Sequence, residues 1–192
     1  KHVVELVEGS VGRAMSGFEQ LSAVSDQAIC QFFELASIAL LDDEVFAHVQ
    51  SANISDVESA RVRGRSTTRL ALTDSMRHDM VSALMMWRDA PMSRNTVVSR
   101  IQHIGWTVEE LSASLGVIGF VFEGRPNVFA DATGVLKGGN AVVFRIGSDA
   151  LGTAHAMMNH VIHPSLRASG LPDDAVVLLD SPEHAAGWAL FS

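Results

Sequence analysis

Between two apolar runs lies Glu123-Gly124-Arg125-Pro126-Asn127, whose side-chain types suit a polar or anionic ligand. The Asn127 amide can donate to a developing oxyanion without having to titrate. The same residue type is equally apt as the N-cap of a helix over Val128–Lys137, and both readings stand. The planar fork of Arg125 can hold a carboxylate or phosphate, or it can pair with Glu123. Further on, Arg145-Ile146-Gly147-Ser148-Asp149 offers a fixed positive charge at Arg145, room for close backbone approach at Gly147 and a hydroxyl donor at Ser148. Asp149 reads as the start of a helix whose first turn leaves backbone N–H groups free for an anion.

These residues need a sheet to position them. Gly116–Phe122 and Ala141–Phe144 are continuous apolar runs, as in strands covered on both faces of a parallel sheet. Pro126 forbids a helical residue before it, and Gly138-Gly139 stops the helix that follows. The order strand, loop, helix, strand puts the Glu123–Asn127 loop at the carboxyl end of the first strand, where ligands bind in open α/β sheets. Val176–Leu179 predicts a third strand, Ser181-Pro182 a further helix, and Gly116–Phe122 the central strand. Between them, Ala150–Ser165 has helical periodicity, which Pro164 should kink or end early. The fold expected for residues 114–192 is a Rossmann-type parallel sheet.

Residues 1–95 read as helices packing on that sheet. Ser25, Asp42 and Thr73 are placed to cap three of them, and Lys1–Ser22 predicts another, interrupted at Gly9 and Gly12. Ala90-Pro91 ends the helical half. Thr96–Ala113 then alternates as a half-exposed hairpin turning near Gly105, with one apolar side that a lone hairpin cannot keep dry.

Other candidates carry less. Cys30, the single cysteine, lies on an apolar helical stripe with no basic residue near it in sequence and reads as a small buried hydrophobe. His155, Asn159 and His163 share a helix face, but no acidic ligand is built in and a solvated polar face is the better reading than a metal site. Arg61, Arg63, Arg65 and Arg69 read as a solvated surface. A net charge of −8 over 192 residues argues against a nucleic-acid or anionic-membrane partner. No run approaches the ~18 apolar residues of a membrane span. A lone cysteine fits the cytoplasm, the compartment expected here.

The stretch Gly116–Arg145, with GVIGFVFEGRPNVFADA and KGGNAVVFR, resembles γ-glutamyl phosphate reductase (glutamate-5-semialdehyde dehydrogenase), of the aldehyde dehydrogenase superfamily. Asn53-Ile54-Ser55-Asp56, Leu72–Arg77 and Ala168–Val176 resemble that family's NAKD, LTD-x-R and AGLP-x-x-AV segments. The resemblance implies an aldehyde dehydrogenase-like fold with a hairpin oligomerisation arm at 96–113, hence a homo-oligomer. It also implies NADP or NAD bound near Glu123, Arg145, Gly147 and Ser148, an oxyanion donor at Asn127 and substrate contact at Arg125. The family's reaction turns an acyl phosphate into an aldehyde in proline biosynthesis by way of a cysteine nucleophile. That cysteine lies beyond the matched region, so the carboxyl-terminal catalytic part is expected to be absent and the chain inactive alone. A truncated or diverged nucleotide- or partner-binding module is the other reading. The family turn RGGKEA is RIGSDA here, and Ser148 in place of lysine predicts weak discrimination for NADP(H). The segment from Asp131 to Asn140 is one residue shorter than the family pattern, which predicts a distorted helix there.

Overall fold

Helices fill the first half of the chain, and three of them begin at the predicted caps. The structure is a computed structural model that describes residues 2–192. Helix α1 (His2–Leu21) runs unbroken through Gly9 and Gly12, where the sequence predicts an interruption. Each glycine costs about 1 kcal/mol relative to alanine, and burial of Val7, Ala14 and Leu21 outweighs it. Ser25 Oγ accepts from the Ala28 N–H to start α2 (Asp26–Leu41). The Asp42 carboxylate does the same for α3 (Asp43–Val62), and Thr73 Oγ1 for α4 (Asp74–Asp89). Extended backbone at Ala90, before Pro91, ends α4.

Strands β1 (Val97–His103) and β2 (Trp106–Leu111) pair antiparallel and turn at Ile104-Gly105, where Gly105 takes φ +85°. Every residue of both strands is exposed, more than the half-exposure predicted. One face carries Ile101 opposite Val108 and His103 stacked on Trp106; the other carries Arg100 paired with Glu109.

β3 (Val117–Val121), β4 (Ala141–Arg145) and β5 (Val176–Leu178) form a parallel sheet in the order β3-β4-β5. The central strand is therefore β4, not the Gly116–Phe122 run expected there. All five residues of β4 are buried, whereas β3 is half-buried and Val121 is exposed. The longer apolar run misled because sheet position follows burial on both faces rather than run length. After β3 comes α5 (Phe129–Gly134), which tightens into a 3-10 turn at Val135–Gly138 before Gly139 stops it at φ +72°. The predicted helix over Val128–Lys137 is thus shorter and mixed.

The crossover from β4 to β5 is α6 (Leu151–Met157), a π turn at Met158–Ile162 and α7 (His163–Ser169). Pro164 neither ends nor breaks it. The proline ring has no N–H and crowds the carbonyl four residues back. A π turn closed by the His163 N–H on the Met158 carbonyl widens the helix just before it. Gly170 ends α7 at φ +78°, and α8 (His184–Ala189) follows β5, starting later than Ser181-Pro182.

Helix α1 lies across all three parallel strands and touches α8, while α2 and α3 back onto α7 and α6. At the α1 contact, a Cβ on Gly17 would fall on the Asp174 carbonyl. Because the obstacle is backbone, Gly17→Ala is expected to destabilise the fold by about 1–3 kcal/mol. Urea unfolding would show a lower midpoint at unchanged slope; an unchanged midpoint would mean that α1 is not held here.

Candidate functional site

The carboxyl ends of β3 and β4 open into a cleft of about 500 Å³. Glu123, Arg145, Gly147 and Ser148 line it together, as their placement in the sequence implies. Arg65 and His184 join them, and neither was singled out as a site residue. Arg145 is 4% exposed. Its Nη2 donates to the Pro182 carbonyl at 3.4 Å, and its buried Nε has no partner among the described residues. A buried charged donor left unpaired is costly. A neighbouring cleft of about 420 Å³ shares Val121, Arg145 and His184 and adds the apolar side chains Trp188 and Phe191.

Arg125 and Asn127 line a separate groove of about 330 Å³ that shares Glu123 with the main cleft. Arg125 donates to Glu123 from Nε at 3.2 Å and Nη2 at 2.9 Å, which is the pairing weighed from the sequence. The N-cap reading of Asn127 is overturned. Val128 occupies the cap position of α5, with no side-chain cap bond, because a turn over Pro126–Val128 delays the helix. The Asn127 amide is not spent on capping.

Gly147 does provide close backbone approach, but to the protein's own loop. A Cβ there would lie 2.6 Å from the Gly124 nitrogen. The two loops of the site therefore rest directly on each other. Asp149 does not start the α-helix expected there. A 3-10 turn at Ser148–Ala150 comes first, and the Asp149 carboxylate is held by arginines.

All four arginines of the basic cluster are exposed, as expected of a solvated surface, and three of them also reach acidic groups at the site. Arg63 Nη2 and Arg65 Nη1 lie 2.9 and 2.6 Å from Asp149 Oδ1, and Arg69 Nη1 lies 3.6 Å from Glu123. Only Arg61 of the four keeps to its own helix, on Glu58. A buried polar knot ties their loop to α6. Asn53 Nδ2 donates to the Leu70 carbonyl (2.9 Å) and to Thr153 Oγ1 (3.1 Å), while its Oδ1 accepts from the Leu72 N–H at 2.8 Å. Asp56 Oδ2 accepts from both the N–H and the hydroxyl of Thr153, each at 2.7 Å. The motif Asn53–Asp56 thus has a positioning role that its resemblance alone did not disclose. An Asn and an Asp one turn apart on one helix face are the only local signal of it. Arg77, from the other quoted segment, donates to the Leu40 carbonyl at 2.6 Å and pairs with Asp43 at 2.8 Å, joining α2, α3 and α4.

Cys30 does have a basic neighbour, contrary to expectation. Buried Lys137 donates from Nζ to Cys30 Sγ and to the Arg88 carbonyl, both at 3.3 Å. Lys137 lies in the 3-10 turn that leads into β4, so this pair sits at the opposite end of the sheet from the cleft. His155 lies 2.9 Å from Asp180, and burial pushes the His163 imidazole below its usual range. Among the described residues no group of three His, Cys, Asp or Glu side chains is placed to hold a metal, and no helix is long and apolar enough to cross a membrane.

No protein-family model matches the chain. Among curated proteins it is 34% identical over 163 residues to γ-glutamyl phosphate reductase 2 of Bacillus licheniformis, a match covering 82% of this chain and 38% of that protein. A Bradyrhizobium γ-glutamyl phosphate reductase is 38% identical over 148 residues, with 74% of this chain and 34% of that protein covered. By sequence, the chain belongs to the γ-glutamyl phosphate reductase family. The fold agrees. The crystal structure of the Thermotoga maritima γ-glutamyl phosphate reductase superposes with a TM-score of 0.87 at 24% identity, over 96% of this chain and 45% of that one. A propionaldehyde dehydrogenase from Rhodopseudomonas palustris and an engineered glycolyl-CoA reductase with bound NADP+ each give 0.66 at 16% identity over 95% of this chain. The chain spans less than half the length of the family members that it matches.

Proposed function

We propose that this chain is the cofactor-binding portion of a nicotinamide-dependent γ-glutamyl phosphate reductase-like enzyme, which converts an acyl phosphate to an aldehyde in proline biosynthesis. The observation that carries the reading is Arg145, which lines the cleft at the carboxyl edge of the sheet with its charge largely buried and undercompensated. That guanidinium, the Ser148 hydroxyl and the neighbouring arginines fit a phosphorylated anionic ligand. The adenosine end of NADP or NAD is assigned to Arg145, Gly147 and Ser148, with Glu123 at the border of the next groove. The bound nicotinamide supplies the two-electron reduction. Asn127 is assigned as oxyanion donor and Arg125 as a substrate contact, released from Glu123 by a competing carboxylate or phosphate.

Cys30, the only cysteine of the sequence, is remote from the cleft, so the chain alone is assigned no acyl-transfer activity. Isothermal titration tests the reading. Saturable binding of a nicotinamide dinucleotide is expected, with a Kd on the order of 0.1–1 mM, or about 4–5.5 kcal/mol. Absence of heat with either dinucleotide would favour the second reading, a diverged partner-binding module, which the altered RIGSDA turn supports.

We also assign the hairpin to self-association, giving a homo-oligomer in the cytoplasm. Its face of Ile101, Trp106 and Val108 is uncovered in the single chain. Val108→Glu is expected to shift sedimentation from oligomer to monomer without changing the melting temperature. A wild-type chain that stays monomeric at high concentration would contradict this.

A further inference from the structure

His155, Asn159 and His163, one helix face in the sequence, line a single cavity of about 210 Å³. It shares no lining residue with the main cleft, and the function proposed above does not use it. In a regular α-helix a spacing of four residues drifts by about 40° at each step. The π turn at Met158–Ile162 takes less rotation per residue and returns His163 toward the line of the other two. The cavity also meets Val176, Val177 and Leu178, three residues in a row. A cavity on one face of a sheet would meet alternate residues, so this one lies along the edge of β5.

That edge is unpaired, because β5 pairs only with β4. The Leu179 N–H donates to the Phe144 carbonyl, so by alternation Val176 and Leu178 turn their backbone groups away from β4. The Val176 N–H donates to the Asp173 carbonyl. The Leu178 N–H and the carbonyls of Val176 and Leu178 have no partner among the described residues, although β5 is buried. Buried backbone groups are normally paired, and here the cavity is where a partner would sit. Two opposite charges stand at the same place. Arg13 Nε of α1 and Asp174 Oδ1, just before β5, are 3.7 Å apart, too far for a hydrogen bond. Burial holds the His163 imidazole below its usual range, so at neutral pH it offers one donor and one acceptor. Adjacent positive and negative groups complement a ligand that carries an anion and a cation on neighbouring atoms. The volume lies below the ~300–1,000 Å³ of sites for drug-sized ligands, which restricts the occupant to a small molecule. We propose that this cavity binds a free α-amino acid with a small apolar side chain. Its carboxylate is held by Arg13 and the Leu178 N–H, its ammonium by Asp174 and the strand-edge carbonyls, and its side chain lies against Met158. The proposal is independent of the dinucleotide reading.

Amide chemical shifts of the whole isotope-labelled chain, followed as L-valine is added, test it. Saturable shifts at millimolar L-valine are expected for the Leu178 N–H and the Asn159 side-chain amide, with none at Gly147 or Ser148 in the main cleft. Acetate and methylammonium carry the two charges singly, and each should bind at least about tenfold more weakly than L-valine. Arg13→Met and Asp174→Asn should each weaken L-valine about tenfold. Arg167→Met removes a guanidinium that pairs with Asp173 outside the cavity, and should leave the affinity unchanged. The comparison of the three ligands on the wild-type chain decides the matter even where a variant folds poorly. No saturable shift at Leu178, acetate or methylammonium binding as tightly as L-valine, or an affinity insensitive to both cavity variants would overturn the proposal.

Discussion

Arg145→Met is expected to bind nicotinamide dinucleotide at least about tenfold more weakly than the wild-type chain while melting no lower. In a structural residue the two effects would fall together. Here they should separate. Arg145 ends the central strand, is buried, and makes one protein hydrogen bond, to the Pro182 carbonyl, while its Nε is left unpaired. Replacing an undercompensated buried charge with an apolar side chain of similar length is often neutral or stabilising. The stability given up by keeping arginine at this position is the signature of a group retained for a ligand. Calorimetric titration and thermal melts on the same samples check the prediction. A melting temperature lowered by many degrees with unchanged affinity would make Arg145 a structural residue and remove the main support for the site.

Asn53→Ala carries the largest expected loss of stability, about 2–4 kcal/mol. The amide bonds the Leu70 carbonyl, the Leu72 N–H and Thr153 Oγ1, and its removal leaves the two backbone groups without that partner, while Thr153 keeps only Asp56. Because the knot fixes the loop that carries Arg63 and Arg65 against the start of α6, hydrogen exchange at Leu72 should accelerate even where the chain remains folded. A loss below about 1 kcal/mol would mean that water replaces the amide and that the loop is held by its ion pairs alone.

The parts of this architecture that were legible in the sequence are those set by local chemistry. Ser25, Asp42 and Thr73 cap their helices because a side-chain oxygen satisfies an otherwise unpaired backbone N–H within one turn. The β4 strand shows as a run with no polar residue before Arg145, and the loops after β3 and β4 place Glu123, Gly147 and Ser148 in one cleft. What was not legible depends on long-range pairing. Sheet order required knowing which strand is covered on both sides. The basic segment is exposed, as its composition predicts, but its ion pairs are not legible because the partners, Asp149 and Glu123, are far along the chain. The Lys137 neighbour of Cys30 was hidden for the same reason. Asn127 was balanced between a cap and a free amide, and the turn over Pro126–Val128 resolves only the first of these.

The proposed function places the adenosine end of a dinucleotide against Arg145, Gly147 and Ser148. Backbone amide chemical shifts of the isotope-labelled chain, followed as NADPH is added, test it most directly. The largest saturable changes are expected at Gly147, Ser148 and Asp149, with smaller ones at Glu123 and Gly124 on the loop that Gly147 touches. Shifts confined to the hairpin or to the Cys30–Lys137 end of the sheet, or no shifts at millimolar NADPH, would contradict it.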